Sequence, residues 1–187
     1  MIQQKELDRE ILVGLTRVFR SKGYEGASLK ELAEATGLKK ASLYHRFPNG
    51  KQEMATAVLA YIDNRVAETI FQALSDEKNT PQVRLKTGLD HIKTLYNNGK
   101  ETCILRALSM RTGLDLFEAQ VNNGMKKWID AFHKIGLALE LSPSEAEKNA
   151  LQTLVEIQGS LIVTKGLDDT NVFENTLKRI ENRYLEK

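Results

Sequence analysis

Three prolines and a single cysteine in 187 residues remove several possibilities at once. One cysteine, Cys103, cannot form an intramolecular disulfide and fits a reducing, cytoplasmic setting. So few prolines leave helices uninterrupted, and β-branched clusters are sparse, which points to an all-α fold. No apolar run reaches the ~18 residues that a membrane span needs, so no membrane partner is expected. The opening residues MIQQKELDRE are too polar and acidic for a signal peptide. His45, His91 and His133 share no metal-ligand spacing with Cys103 or with each other, so neither a metal nor another cofactor is expected. Acid–base and nucleophile constellations are also missing: Asp168 and Asp169 sit in a polar turn at a helix end, so no catalytic residues are assigned.

What is present is a 41% apolar content, enough for a core, and an uneven distribution of charge. Residues 1–51 hold ten Lys/Arg and six Asp/Glu, a net +4, whereas residues 52–187 carry −2. From Thr36 to Lys51 the charged residues are Lys39, Lys40, Arg46 and Lys51, all basic. Such a local excess attracts phosphate, although a solvated surface patch would look the same from charge alone.

Periodicity predicts nine helices and no strand. The first covers roughly residues 3–22, striped by Leu7, Ile11, Leu15, Val18 and Phe19, and Gly23 ends it. Ser28 caps the second, with Glu31 completing a Ser-x-x-Glu capping box. Gly37 makes a turn, a short helix follows over 39–46, and Pro48-Asn49-Gly50 breaks the chain. The fourth helix starts near Lys51 and carries Met54, Val58, Ile62, Val66 and Ile70. After a polar loop at 75–80, helices follow that carry Leu85 to Tyr96, Ile104 to Met110, and then a long stripe over 114–141. Ser142-Pro143 opens the eighth helix with Glu145 three residues past the cap. Its segment LVEIQGSLIV is apolar on nearly every side, which predicts burial on two faces. The last helix covers roughly 171–185.

Residues 27–54 therefore outline a helix-turn-helix DNA reader. The runs FRSKGY (19–24), SLKELA (28–33), TGL (36–38) and SLYHRF (42–47), followed by Lys51, resemble the DNA-binding domain of the TetR family of bacterial transcriptional regulators over residues ~9–60. The break FPNGK is similar to that of the subgroup that includes multidrug-efflux repressors. Residues 157–180, more weakly, resemble that subgroup's last two helices. The resemblance implies an N-terminal three-helix DNA-binding domain, residues 1–50, on a helical effector-binding and dimerisation domain, residues 51–187.

A recognition helix needs small or polar residues at its exposed first turn, so that backbone can approach base edges. Lys39, Lys40, Ala41 and Ser42 meet that need, with Lys40 suited to guanine. Tyr44, His45 and Lys51 suit phosphates, and Ser28 could offer neighbouring amides to a phosphate while capping its helix. Where the family usually has a serine cap, this chain has Lys39, which cannot accept amide hydrogen bonds.

By the same resemblance an effector pocket lies among the middle helices. Its candidates are Ile62, Val66, Leu89, Ile92, Tyr96, Cys103, Leu108, Phe117, Val121, Trp128, Gln158 and Ile162. Each could equally be plain core. The dimer interface would use the last two helices as a four-helix bundle, through Leu154, Gly159, Ser160, Phe173, Leu177 and Ile180. The same residues could instead close a monomer core. The expected function is a homodimeric, sequence-specific repressor, released from a near-palindromic operator by a small apolar or aromatic effector. The alternatives are a DNA-binding regulator whose C-terminal domain binds a partner protein or no ligand and, behind it, an all-helical enzyme.

Overall fold

A computed structural model describes residues 2–186, so Met1 and Lys187, the outer ends of the two expected domains, lie outside the described residues. The elements are α1 (Ile2–Gly26), α2 (Leu29–Thr36), α3 (Lys40–Arg46), α4 (Lys51–Val66), a π-helical turn (Ala67–Phe71), α5 (Gln72–Ser75), α6 (Pro81–Leu95), α7 (Ile104–Leu108), α8 (Thr112–Ala138), α9 (Pro143–Leu167) and α10 (Asn171–Leu185). Helix runs on without a break from α4 to α5, so counting that run once recovers the nine expected helices among the described residues. The fold is all-α.

Two compact units result. The first is Met1–Asn64 with Ile104–Asn122; the second is Arg65–Cys103 with Asn123–Lys187. This grouping differs from a cut after residue 50, because α7 and the start of α8 pack with the N-terminal helices.

In the first unit α1 buries Ile11, Leu15, Val18 and Phe19 against α2 and α7, while Leu7 stays 42% exposed and outside the expected stripe. Gly14 allows the contact with α2: a Cβ there would stand 2.3 Å from the Ala35 carbonyl oxygen. Gly23, at φ 69°, interrupts α1 where the sequence predicts its end. Phe117 leaves helical geometry (φ −124°, ψ 16°) and meets Tyr24 edge-on, with ring centroids 5.3 Å apart.

In the second unit the π-helical turn, α6, α9, α10 and the later part of α8 surround a core that includes Phe132 and Phe173. Tyr96 meets Phe173 edge-on, and the Tyr184 hydroxyl donates to the Phe132 carbonyl at 3.3 Å. Burial pushes the Tyr184 hydroxyl pKa up to about 12. Glu156 on α9 accepts from Arg183 of α10 at 2.8 Å, which ties the two helices together.

Two expectations change here. The segment 154–163 buries one face within the chain, not two: Leu154, Ile157, Ser160 and Leu161 are buried, whereas Val155, Ile162 and Val163 are exposed. Of the residues assigned to a dimer seam, Leu154, Ser160, Phe173, Leu177 and Ile180 are already covered inside this unit; Gly159 is exposed. Helical stripes announce that a face is buried, not which chain buries it.

Candidate nucleic-acid interface

The helix-turn-helix is built from local signals. The Ser28 hydroxyl accepts from the Glu31 amide at 3.2 Å, and the Glu31 carboxylate accepts from the Ser28 amide at 3.0 Å. That reciprocal box starts α2, and those bonds hold the Glu31 carboxyl below its usual range. Gly37, at φ 66°, stops α2; its amide reaches the Glu34 carbonyl and the Leu38 amide reaches that of Ala33. The chain then turns into α3, only seven residues long. Leu43 and Phe47 pin α3 to the core, and Arg46 pairs with Asp8 of α1.

With its inner side so fixed, α3 turns an outer side to solvent. Lys39, Lys40, Ala41, Ser42, Tyr44 and His45 are all exposed, and so is Ser28 at the start of α2. Lys39 is the N-cap, extended at φ −70° and ψ 151°, with no side-chain capping bond. The first amides of α3 are thus left to solvent or to a bound anion.

Lys51 sits differently from its assigned phosphate role. Its ammonium turns inward: it donates to the Ala27 carbonyl at 3.1 Å and the Glu25 carbonyl at 3.4 Å, and lies 4.7 Å from the Tyr24 ring centroid. Glu25 in turn accepts from the Thr112 hydroxyl at 2.5 Å and faces Arg111. The Thr112 hydrogen bond leads the causes that hold the Glu25 carboxyl below its usual range. This joint between the reader helices and the start of α8 escaped sequence reading. Its signal was Gly113, where a Cβ would meet the Leu108 carbonyl at 2.6 Å.

The twelve expected pocket residues divide between the units: Ile62, Leu108, Phe117 and Val121 in the first, and the remaining eight in the second. All are buried in packing except Gln158, half-buried, and Ile162, 52% exposed on the open side of α9. A cleft of about 490 Å³ lies elsewhere in the second unit, beside Phe71, Leu74, Arg84 and Ala131, and none of the twelve lines it. Among the described residues no His/Cys/Asp/Glu group could hold a metal, and no helix is long and apolar enough to cross a membrane.

A capped positioning helix, a glycine turn and a short helix with an exposed, partly basic outer side define the helix-turn-helix class of DNA-binding fold. Residues 11–58 match the family model described as bacterial regulatory proteins, tetR family. The HTH-type transcriptional regulator YxaF of Bacillus subtilis (strain 168) is 29% identical over 98 residues, covering 52% of this chain and 51% of that protein. The match thus spans about half the length of that relative. A TetR regulatory protein from Rhodobacter sphaeroides superposes with a TM-score of 0.81 at 17% identity, covering 94% of this chain and 97% of that one. A cysteine variant of the TetR-family regulator CifR, solved with 26-bp double-strand operator DNA, superposes with a TM-score of 0.71 at 18% identity, covering 94% of each chain. Residues 11–58 thus match the DNA-binding region of the TetR family, and the chain as a whole shares the fold of solved TetR-family regulators. These likenesses extend to the family and do not separate the efflux-repressor subgroup within it.

Proposed function

We propose that the protein is a sequence-specific DNA-binding transcriptional repressor that acts from the cytoplasm as a homodimer. The exposed outer side of α3 carries this reading: Lys39, Lys40, Ala41 and Ser42 give its start the small or polar side chains that base edges require, flanked by Tyr44 and His45. Lys40 is assigned to a guanine edge. Ser28, Tyr44 and His45 are assigned to phosphates, which set register without reading sequence. The CifR complex with operator DNA supports the reading by family likeness.

Dimerisation is assigned to α9. Leu151, Val155, Ile162, Val163 and Leu167 are 46–68% exposed and recur with Gly159 and Gly166 at helical spacing, a side that water alone would otherwise cover. Two readers related by a two-fold axis would enter successive major grooves about one helical turn apart, so the operator is a near-palindrome. In this functional division residues 1–50 read DNA, and residues 51–187 dimerise and respond to a small effector. The effector acts only if its affinity differs between free and operator-bound protein.

The test is selection of genomic fragments by the purified protein, followed by a salt titration on the recovered sequence. A near-palindrome whose binding weakens steeply with salt, and more than tenfold on Lys40→Ala, is expected. Fragments with no shared sequence would overturn the reading.

A further inference from the structure

The second unit contains a cleft whose origin is visible in the sequence. On α8, Lys127, Asp130, Ala131, Lys134 and Ala138 form one helical stripe beside the bulky stripe of Trp128, Phe132, Ile135 and Leu139. Alanine at 131 and 138 leaves a hollow where the neighbouring stripe fills space. The facing wall is made by the π-helical turn and α5, which supply Phe71 and Leu74. Phe71 meets Trp128 edge-on, with centroids 5.7 Å apart, so the chain's one tryptophan backs the cleft. A π-helical turn is an uncommon distortion that gathers at functional sites.

The charges at the cleft are ordered. Arg84 donates from Nε to the Leu74 carbonyl at 2.7 Å, which fixes the guanidinium at the edge and leaves its terminal amino groups without a partner among the described residues. Lys134 is paired with Asp130 on its own helix at 2.7 Å. Lys127 and Glu77 complete the rim, so three cations face two carboxylates. An apolar floor with a tethered guanidinium at its edge matches a carboxylate attached to an apolar body. The volume of about 490 Å³ lies within the ~300–1,000 Å³ range of small-molecule sites.

We propose that this cleft binds an amphipathic monocarboxylate, with the acid on Arg84 and the aliphatic or aromatic body over Phe71, Leu74 and Ala131. The proposal deepens the effector reading and rests on it only for the consequence at DNA, because binding is measured on the free chain.

Decanoate, which does not absorb where tryptophan emits, is the probe, and Trp128 fluorescence is the readout. Saturable quenching below 1 mM is expected, about tenfold weaker on Arg84→Met and abolished on Ala131→Phe, which fills the hollow without removing a contact. Thermal melts confirm that both variants fold. Three results would each overturn the proposal: no saturable change with decanoate, decanol binding as tightly as decanoate, or Ala131→Phe leaving decanoate binding intact. Operator binding is measured separately, with and without decanoate. Decanoate that binds but leaves operator affinity unchanged keeps the site and removes its role as the effector site.

Discussion

Lys51 shows how one side chain can satisfy two readings of a sequence and only one geometry. At the start of a helix beside a DNA reader, a lysine suggests a phosphate contact. Here its ammonium is held by two carbonyls and an aromatic face, interactions that together are worth ~1–2 kcal/mol. Lys51→Gln should lower stability in urea unfolding by that amount while leaving the slope of log affinity against log salt unchanged. A slope smaller by about one per protomer would restore the phosphate role. Lys39 is the reverse case, since it caps α3 without a capping bond. Lys39→Ser should raise stability by ~0.5–1 kcal/mol in thermal melts and make the salt slope shallower. Tyr184 adds a pH dependence. Its pKa is raised from 10.0 to about 12 by burial, so the folded state keeps its proton where the unfolded state has lost it. Its contribution is complete below pH ~10 and fades as pH rises towards 12, by roughly 2–3 kcal/mol in all. Urea midpoints measured from pH 9 to 12 should fall more steeply for the native chain than for Tyr184→Phe.

At the scale of elements, legibility followed the range of the causative interaction. The α2 cap, the Gly37 turn and the Ser142 cap of α9 depend on residues within three or four positions, and all were readable. What the sequence hid depends on distant chain. Gly14 is one such place, where α1 and α2 meet backbone to backbone. Gly14→Ala should cost more than a propensity change, which would favour alanine: about 1–3 kcal/mol of destabilisation in chemical unfolding, because a carbonyl rather than a flexible side chain blocks the new methyl group. The candidate site divides in the same way. The outer side of α3 was legible, since Leu43 and Phe47 fix which residues face inward. The hollow on α8 was not, since an alanine in a stripe does not tell what stands opposite.

For the whole molecule, the unsettled matter in the sequence was which surface a second copy would cover. Stripes at Phe173, Leu177 and Ile180 read as an interface because periodicity reports burial without an address; they close the second unit itself. The surface left open is the other side of α9. A double substitution, Val155→Glu with Ile162→Glu, should yield a folded monomer by light scattering and weaken operator binding by at least tenfold, since each half-site would be held alone. A dimer that survives both charges would move the interface elsewhere.

The π-helical turn also works as a phase setting. An α-helix advances about 100° per residue. The Gln72 amide bonds the Ala67 carbonyl five positions back, so one residue is accommodated there without advancing the spiral as usual. Deleting one residue between Ala67 and Phe71 would close the run into plain α-helix and leave its downstream end near its present phase, whereas the same deletion in regular α-helix would rotate that end by about 100°. Leu74 would stay seated over Gly88, and the Arg84 guanidinium would keep the carbonyl that aims it. The turn is therefore a point where the chain can hold one residue more without changing side-chain direction beyond it.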